Sequence, residues 1–132
     1  MKQILPVKIF AQQFTTTATP AEVDLYGYYA TPGKRGMLAT LSVISAANAA
    51  SDAGSITVKL QGSATTVDSD FTDLTDGAFA TVVDTDAPTT AGVLQTIYVP
   101  AFSGRYVRGV ATIADTPILD AACTIFVEKR AS

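Results

Sequence analysis

The chain has 132 residues, of which 48% are hydrophobic and 16% are charged, and its formal net charge is −3. The length predicts a single domain, and the acidic balance makes a nucleic-acid backbone an unfavourable partner. Because the sequence has no histidine and only one cysteine, it excludes a Ser-His-Asp triad, a Cys-His pair, an intrachain disulfide and a cysteine-rich zinc site.

Membrane insertion and secretion are not predicted. No apolar run of the sequence approaches the roughly 20 residues that a membrane-spanning helix needs. The first residues are interrupted by Pro6 and Lys8, and no small-residue cleavage site follows them. We therefore expect no signal peptide and no membrane partner, and synthesis in a host cytoplasm.

The pattern along the chain is typical of β-structure, with short runs rich in Thr, Val and Ile separated by Gly, Pro, Asp and Ser. Strands are predicted, in chain order, over 3–14, 22–30, 37–44, 56–61, 71–74, 93–99, 105–113 and 122–127. Short strands at this spacing, about 8–12 residues with turn residues between them, are typical of an antiparallel sandwich. The predicted fold is an all-β, jelly-roll-like β-sandwich that occupies residues 1–132 as one domain.

The first predicted strand allows two interpretations. Residues 3–14 are bent at Pro6, and their alternation is imperfect because Phe10 has the same parity as Lys8. The segment is either an extended N-terminal arm that adds a strand to a neighbour's sheet, with 1–20 as arm and linker, or the first strand of this domain's own sheet. Its apolar side chains are candidates for partner contact: Ile4, Leu5, Val7, Ile9 and Phe10.

The middle of the chain gives more specific expectations. Residues 37–44 have apolar side chains on both faces, which predicts a central strand that is covered on both sides. Residues 56–61 alternate cleanly and predict a half-buried strand. The alanine-rich stretch 45–53 is too short for a stable helix, so a loop or one helical turn is expected there. A turn is predicted over 32–36, where Pro and two Gly residues fall close together.

An acidic stretch from Asp68 to Asp86 contains aspartates and no Lys or Arg. The spacing of Asp68 and Asp70 fits the start of a calcium loop, but Thr72 stands at the third ligand position and no Glu closes the loop. Aspartates also begin turns and solvate hairpins, and this is the favoured interpretation. Whether the stretch holds an ion stays open, and neither a metal site nor a cofactor is predicted.

The remaining reactive groups form no catalytic set. Cys123 lies in an apolar strand, and with no histidine to activate it we expect a core residue. Glu22 and Glu128 are the two glutamates of the chain, and with no Trp platform beside them they are read as surface carboxylates. No catalytic residue is predicted, and the protein is expected not to be an enzyme.

Two groups of residues are candidates for binding. Arg105 and Arg108 have opposite strand parity, so they are expected on opposite faces, where they either contact an acidic partner or, as favoured, form local ion pairs. The tyrosines could form a sugar-stacking surface, although tyrosine is also common in strands and interfaces. They are Tyr26, Tyr28, Tyr29, Tyr98 and Tyr106. The alternative function is therefore a ligand-binding β-sandwich module, for carbohydrate or as a tail-associated cell-surface adhesin.

Three motifs follow one another in the second half of the chain. Residues 54–63 (GSITVKLQGS) lead into 70–74 (DFTDL), and 104–113 (GRYVRGVATI) follow, with Gly27-Tyr28 upstream. This order resembles small structural proteins of tailed bacteriophages that are encoded near the major capsid gene. The resemblance covers residues 23–128 and departs from the family pattern at 64–70, where an Asp-Gly hairpin is usual.

The resemblance implies a non-enzymatic virion protein that decorates or stabilises the phage capsid, as head decoration (cement) proteins do. The implied partners are the major capsid protein or other virion proteins, and the implied assembly is a homo-oligomer. Nucleic acid and membranes are not expected as partners. Placement in the head or the tail is left open.

Overall fold

The computed structural model describes residues 3–26, 36–45, 54–83, 93–100, 104–115 and 118–129. Among these residues the strands are β1 (Gln3–Phe14), β2 (Val23–Asp24), β3 (Met37–Ser45), β4 (Ser55–Ser63), β5 (Thr72–Ala78), β6 (Val82–Val83), β7 (Val93–Val99), β8 (Tyr106–Ala114) and β9 (Leu119–Lys129). A 3-10 turn spans Asp68–Asp70. No helix in this part of the chain has the length and apolarity needed to cross a membrane. The turn predicted over 32–36 and the loop over 45–53 lie almost wholly outside the described residues.

The strands form two antiparallel sheets that pack face to face. The first sheet has the strand order β1-β9-β3-β7, and the second has the order β2-β8-β4-β5, with β6 also paired to β4. The pairs are nested: β1 pairs with β9, β2 with β8, β3 with β7 and β4 with β5. A long two-stranded ribbon folded over on itself produces this nesting, which is the jelly-roll arrangement. The predicted all-β, jelly-roll-like sandwich is confirmed.

The core lies between the two sheets and is built from alternate residues of the long strands. In β4 of the second sheet, Ile56, Val58 and Leu60 are fully buried. In β3 of the first sheet, Leu41 and Val43 are fully buried opposite them. Because successive side chains of a strand point to opposite faces, the residues between these positions form the outer faces of the sandwich.

β1 belongs to the chain's own first sheet, which is the second of the two interpretations of this segment. It pairs with β9 along its whole length, from Gln3 opposite Lys129 to Phe14 opposite Leu119. The register shifts between Lys8 and Phe10, so a β-bulge inserts Ile9 and both Ile9 and Phe10 are buried. The bulge is the physical reason for the imperfect alternation in the sequence.

β1 and β8 approach each other closely where an aromatic side chain meets a glycine. A Cβ atom built on Gly109 would lie 2.6 Å from the ring of Phe10. The ring of Phe10 lies edge-on to that of Phe14, with centroids 5.3 Å apart. An isolated bridge pairs Ala18 with Ala111. Small residues on β8 therefore leave room for the aromatic side chains of β1 and join the two sheets.

The strand boundaries differ from prediction most at β2 and β5. Of the strand predicted over 22–30, only Val23–Asp24 forms β2, because the chain leaves the sheet at residues 25 and 26, and residues 27–30 lie outside the described part of the chain. The residues predicted as a short strand over 71–74 continue as β5 to Ala78, because four residues bulge out between the pairs Gln61–Asp73 and Lys59–Ala78. Asp76 has a φ of 56° within this bulge, a left-handed conformation that aspartate tolerates better than most residues. β1 and β7 match the predicted ranges.

Candidate protein-interaction surface

The outer face of the second sheet is polar, and its charges are paired within the chain. Lys59 of β4 and Asp73 of β5 form an ion pair at 3.0 Å between Nζ and Oδ1. Gln61 donates from Nε2 to Oδ1 of the same carboxylate at 2.9 Å. The hydrogen bond from Gln61, and after it the one from Lys59, holds the pKa of Asp73 below its ordinary value. This face is stabilised by contacts that the chain itself supplies.

Arg105 lies at one end of this face in a two-point ion pair with Asp24 of β2. Its Nε and Nη2 atoms donate to the two carboxylate oxygens at 2.8 and 2.7 Å. The guanidinium carbon lies 4.9 Å from the ring centroid of Tyr26 and 5.2 Å from that of Tyr106. The hydrogen bond from Arg105 lowers the pKa of Asp24 from 3.8 to about 2, and the same bond raises the pKa of Arg105.

Arg108 is also occupied within the chain. Its Nη1 atom lies 2.6 Å from Oδ1 of Asp68, and its Nε atom donates to Gln61 at 3.0 Å. The guanidinium carbon lies 4.1 Å from the ring centroid of Phe71, and the side chain is only 14% exposed. Both arginines therefore form local ion pairs, and contact with an acidic partner would have to break them. The expectation of opposite faces fails because Arg105 lies in the bend before β8, where strand alternation does not apply.

The outer face of the first sheet has the opposite character, and we term it the apolar face. Six large hydrophobic side chains are exposed in the described part of the chain, and four of them lie here. They are Ile4 (69% exposed), Leu38 (48%), Leu94 (71%) and Tyr98 (60%). The strand registers align one apolar row across all four strands. That row is Pro6, Phe126, Leu38 and Tyr98.

On one side of this apolar row, the next two rows are small or uncharged apart from one lysine. The next row is Lys8, Thr124, Thr40 and Thr96, and the row after it is Ala11, Ala122, Ser42 and Leu94. A shallow depression of about 310 Å³ lies beside the latter row and is lined in part by Ala11, Ser42 and Ala122. The registers place Lys8, Asp120 and Glu128 as the charged residues of the described face. This combination of exposed apolar surface and few charges suits contact with protein.

The sequence of β3 contained one indication of this surface, because the predicted strand has apolar residues on both of its faces. The strand is central in its sheet, between β9 and β7, as predicted. It is not covered on both sides within one chain, because Leu38 on its outer face is 48% exposed. Apolar residues on both parities also occur in β7, where Leu94 and Tyr98 face outward. The signal was therefore present in the sequence, but among the described residues no side chain covers this face.

The predicted contact residues of β1 are divided by the structure. Val7, Ile9 and Phe10 are 9%, 5% and 4% exposed and belong to the chain's own core. They are not available to a partner, because pairing with β9 and the bulge turn these three side chains inward. Leu5 is half-buried, and Ile4 is exposed on the apolar face. Contact between Ile4 and a partner stays a prediction.

The acidic stretch and the cysteine are accounted for by local chemistry. Asp68 and Asp73 are ion-paired, and Asp70 accepts a hydrogen bond from Thr65 at 2.6 Å. Asp84 and Asp86 lie outside the described residues, and within these residues no group of three His, Cys, Asp or Glu side chains could hold a metal ion. Burial raises the pKa of the Cys123 thiol to about 12, so it stays protonated and un-nucleophilic at neutral pH.

Comparison with known proteins shows a shared fold. No protein-family model matches the chain. The comparison with curated proteins likewise gives no match. Among solved structures, the SPBc2 prophage-derived protein YomS is similar, with a TM-score of 0.54 and 10% identity over 98% of this chain and 96% of YomS. A chain of infectious bursal disease virus, Gx strain, has a TM-score of 0.59 and 9% identity over 99% of this chain and 33% of the viral chain.

Proposed function

We propose that this protein is a non-enzymatic structural component of a virion that decorates or stabilises the capsid through protein–protein contacts. The observation that carries the proposal is the apolar face, with its row of apolar side chains across four strands. A monomer that works alone in water would gain nothing from keeping such a patch exposed. The proposed location is the virion, and the proposed partners are the major capsid protein or other virion proteins.

The dimensions of the apolar face suit a specific protein interface. Four strands spaced ~4.8 Å apart and ten residues at ~3.3 Å each give a face of roughly 19 by 33 Å, or about 600 Å². Two such faces together reach the lower limit of specific interfaces, which bury about 1,200–2,000 Å² in total. The jelly roll supports the proposal as a fold, since viral capsid domains use it, but lectin domains use it as well.

The ligand-binding alternative has weaker support in the side chains. Tyr26 is 71% exposed and is the best candidate for a sugar platform among the described tyrosines. Arg105 lies against the rings of both Tyr26 and Tyr106, and it also occupies both carboxylate oxygens of Asp24. A sugar would have to compete with these contacts for the stacking and hydrogen-bonding groups that it needs.

The experiment that tests the proposal is co-sedimentation of the purified protein with particles from its source, with copy number measured by quantitative mass spectrometry. We expect saturable association, with a copy number on the order of hundreds for a shell-covering protein and a dozen or fewer for a vertex or tail component. No association, together with tyrosine-fluorescence changes on adding glycans, would overturn the proposal in favour of the ligand-binding module.

A double variant and a matched control test whether the apolar face is the surface that binds the particle. The double substitution Leu38→Lys and Tyr98→Lys places two charges in the apolar row and should abolish particle binding. Val67→Lys is the matched control, because Val67 is an apolar side chain that is 54% exposed but lies outside the face. Equal particle binding by the double variant and the control would remove the apolar face from the proposal.

A further inference from the structure

We infer that one end of the apolar face, the three rows from Lys8 through Leu94 to Asp120, is covered by the same rows of a second copy of this chain, in a two-fold, face-to-face pair. The inference rests on the proposed function in one respect, since it names a partner for part of the surface that the proposal uses. Its test needs no particle, so the two can fail separately. Two copies held in this way would also bind a shell through two weak contacts at once and gain from their multivalency.

The charges of the apolar face complement one another across a two-fold axis. Lys8 forms no ion pair within the described part of the chain, and it lies opposite Thr124 of β9. Asp120 lies on the same face next to Gln13, which donates to it at 3.3 Å. Thr124 and Asp120 are four positions apart along β9, so the two charges are ~13 Å apart along the strand and cannot meet within one chain.

A two-fold axis that runs across the strands over Ala122 brings the two charges together between copies. It is equidistant from the row of Lys8 and the row of Asp120, because Ala122 lies midway between Thr124 and Asp120. Rotation about it places Lys8 of one copy over the Gln13–Asp120 row of the other, and the reverse, so that two oppositely charged contacts form. An unlike partner would have to reproduce this charge pattern, whereas a second copy carries it already.

The row under the axis is shaped for close approach of identical residues. Ala11, Ala122 and Ser42 are small and allow the two sheets to approach each other at about the 10 Å that stacked sheets adopt. Leu94 ends the row on β7 and is 71% exposed. A side chain on a two-fold axis meets its own copy. Leu94 of one copy would therefore pack against Leu94 of the other, beyond the small residues.

The second copy covers only part of the apolar face, and the second sheet offers no comparable surface. Rotation about the axis over the small residues carries the row of Leu38 of each copy past the row of Asp120, which is the last outward row at that end of the other copy's sheet. The row of Leu38 therefore stays exposed in the pair and is available to a third protein, such as a shell subunit. The second sheet offers no such surface, because Lys59, Arg105 and Arg108 on its outer side are already ion-paired.

The inference is tested by sedimentation velocity of the purified full chain from about 1 to 100 µM, a range that resolves dissociation constants in the micromolar region. We expect a species of twice the 13.7 kDa chain mass for the wild type. Leu94→Lys should weaken association by about tenfold or more, because a lysine would meet a lysine in a desolvated contact. Val67→Lys should associate as the wild type does.

Mixing two variants tests the two-fold arrangement itself. Leu94→Lys and Leu94→Glu should each associate more weakly than the wild type, and an equimolar mixture should recover the double-mass species at a concentration where neither variant alone forms it, because unlike charges then meet at the axis. Circular dichroism of each variant checks that it folds. A monomeric wild type, an unaffected Leu94→Lys variant or a mixture that stays monomeric would each overturn the inference. A monomeric wild type that still binds particles would leave the proposed function standing.

Discussion

The two outer faces of this sandwich cover the same core but meet their surroundings in different ways. The outer face of the second sheet carries Lys59, Arg105 and Arg108, each paired with an aspartate of the same chain. The apolar face of the first sheet carries Leu38, Leu94 and Tyr98 with no side chain of the described residues covering them. An antiparallel sheet usually turns a polar face to water. The second sheet follows this rule and the first departs from it.

The difference is the reason for assigning the proposed contact to the first sheet, whose outer face keeps apolar side chains that the described residues leave uncovered. On the outer face of the second sheet, Lys59, Arg105 and Arg108 pair with aspartates of the same chain, so these charges need no partner from outside. The apolar face has the composition of an interface core, in which charges are depleted and aromatic residues enriched. Inward and outward side chains alternate along each strand. The residues of either outer face can therefore change without altering the inward residues that hold the sheets together.

The largest expected effect contrasts the two faces of one strand. Leu41→Ala removes a fully buried side chain of β3 and should lower the free energy of unfolding by about 2–5 kcal/mol. Leu38→Ala, three residues away on the apolar face, should change it by about 0.5 kcal/mol or less at concentrations where the chain is monomeric. Urea unfolding at low protein concentration measures both. Equal losses would show that the apolar face is part of the chain's own core.

A smaller effect is expected where the two sheets meet. Gly109→Ala would place a Cβ 2.6 Å from the ring of Phe10, and we expect a loss of about 1–3 kcal/mol from overpacking. Replacing Phe10 with Leu in the same chain should recover part of that loss, because a smaller side chain then faces the new methyl group. Thermal unfolding of the single and double variants measures these losses of stability. A loss in the double variant equal to the sum of the two single losses would contradict the contact between Gly109 and Phe10.

Disrupting an ion pair on the outer face of the second sheet should destabilise the chain less. Arg108→Ala removes the contact with the Phe71 ring and the ion pair with Asp68, which together are worth about 1 kcal/mol. Arg108→Lys should recover little of this, since lysine cannot reproduce the planar contact and the two hydrogen bonds. Chemical denaturation measures the loss. Particle binding and self-association should both be retained, because this residue lies on the other face.

The mildest expected effect is acid sensitivity of the second sheet. Ion pairing holds the pKa of Asp24 at about 2 against an ordinary 3.8, and the pKa of Asp73 is also lowered. A carboxyl whose pKa is depressed in the folded state stabilises the fold above its unfolded pKa. That stabilisation should fall as the pH drops from about 4 towards 2. Thermal melts across this range should show it. Asp24→Asn should flatten the profile, and an unchanged profile would contradict the assignment.

Residue pattern alone was enough for the fold class and for much of the core. The alternation of Ile56, Val58 and Leu60 predicted a strand with one buried face, and those residues are fully buried. β1 and β7 begin and end where the pattern predicts. These features are local, since strand alternation and turn residues depend on neighbours along the chain. The favoured pairing of Arg105 and Arg108 with local carboxylates was likewise predictable from the many aspartates.

Pairing between distant strands could not be predicted, and it decides the candidate site. Val7, Ile9 and Phe10 were candidates for partner contact until pairing with β9, more than 100 residues away, turned them inward. Leu38, Tyr98 and Phe126 come from three strands, and only their register places them in one row. Alternation specifies that a strand has two faces. Which face meets the core, and which residues become neighbours across strands, depends on long-range packing that no local pattern contains.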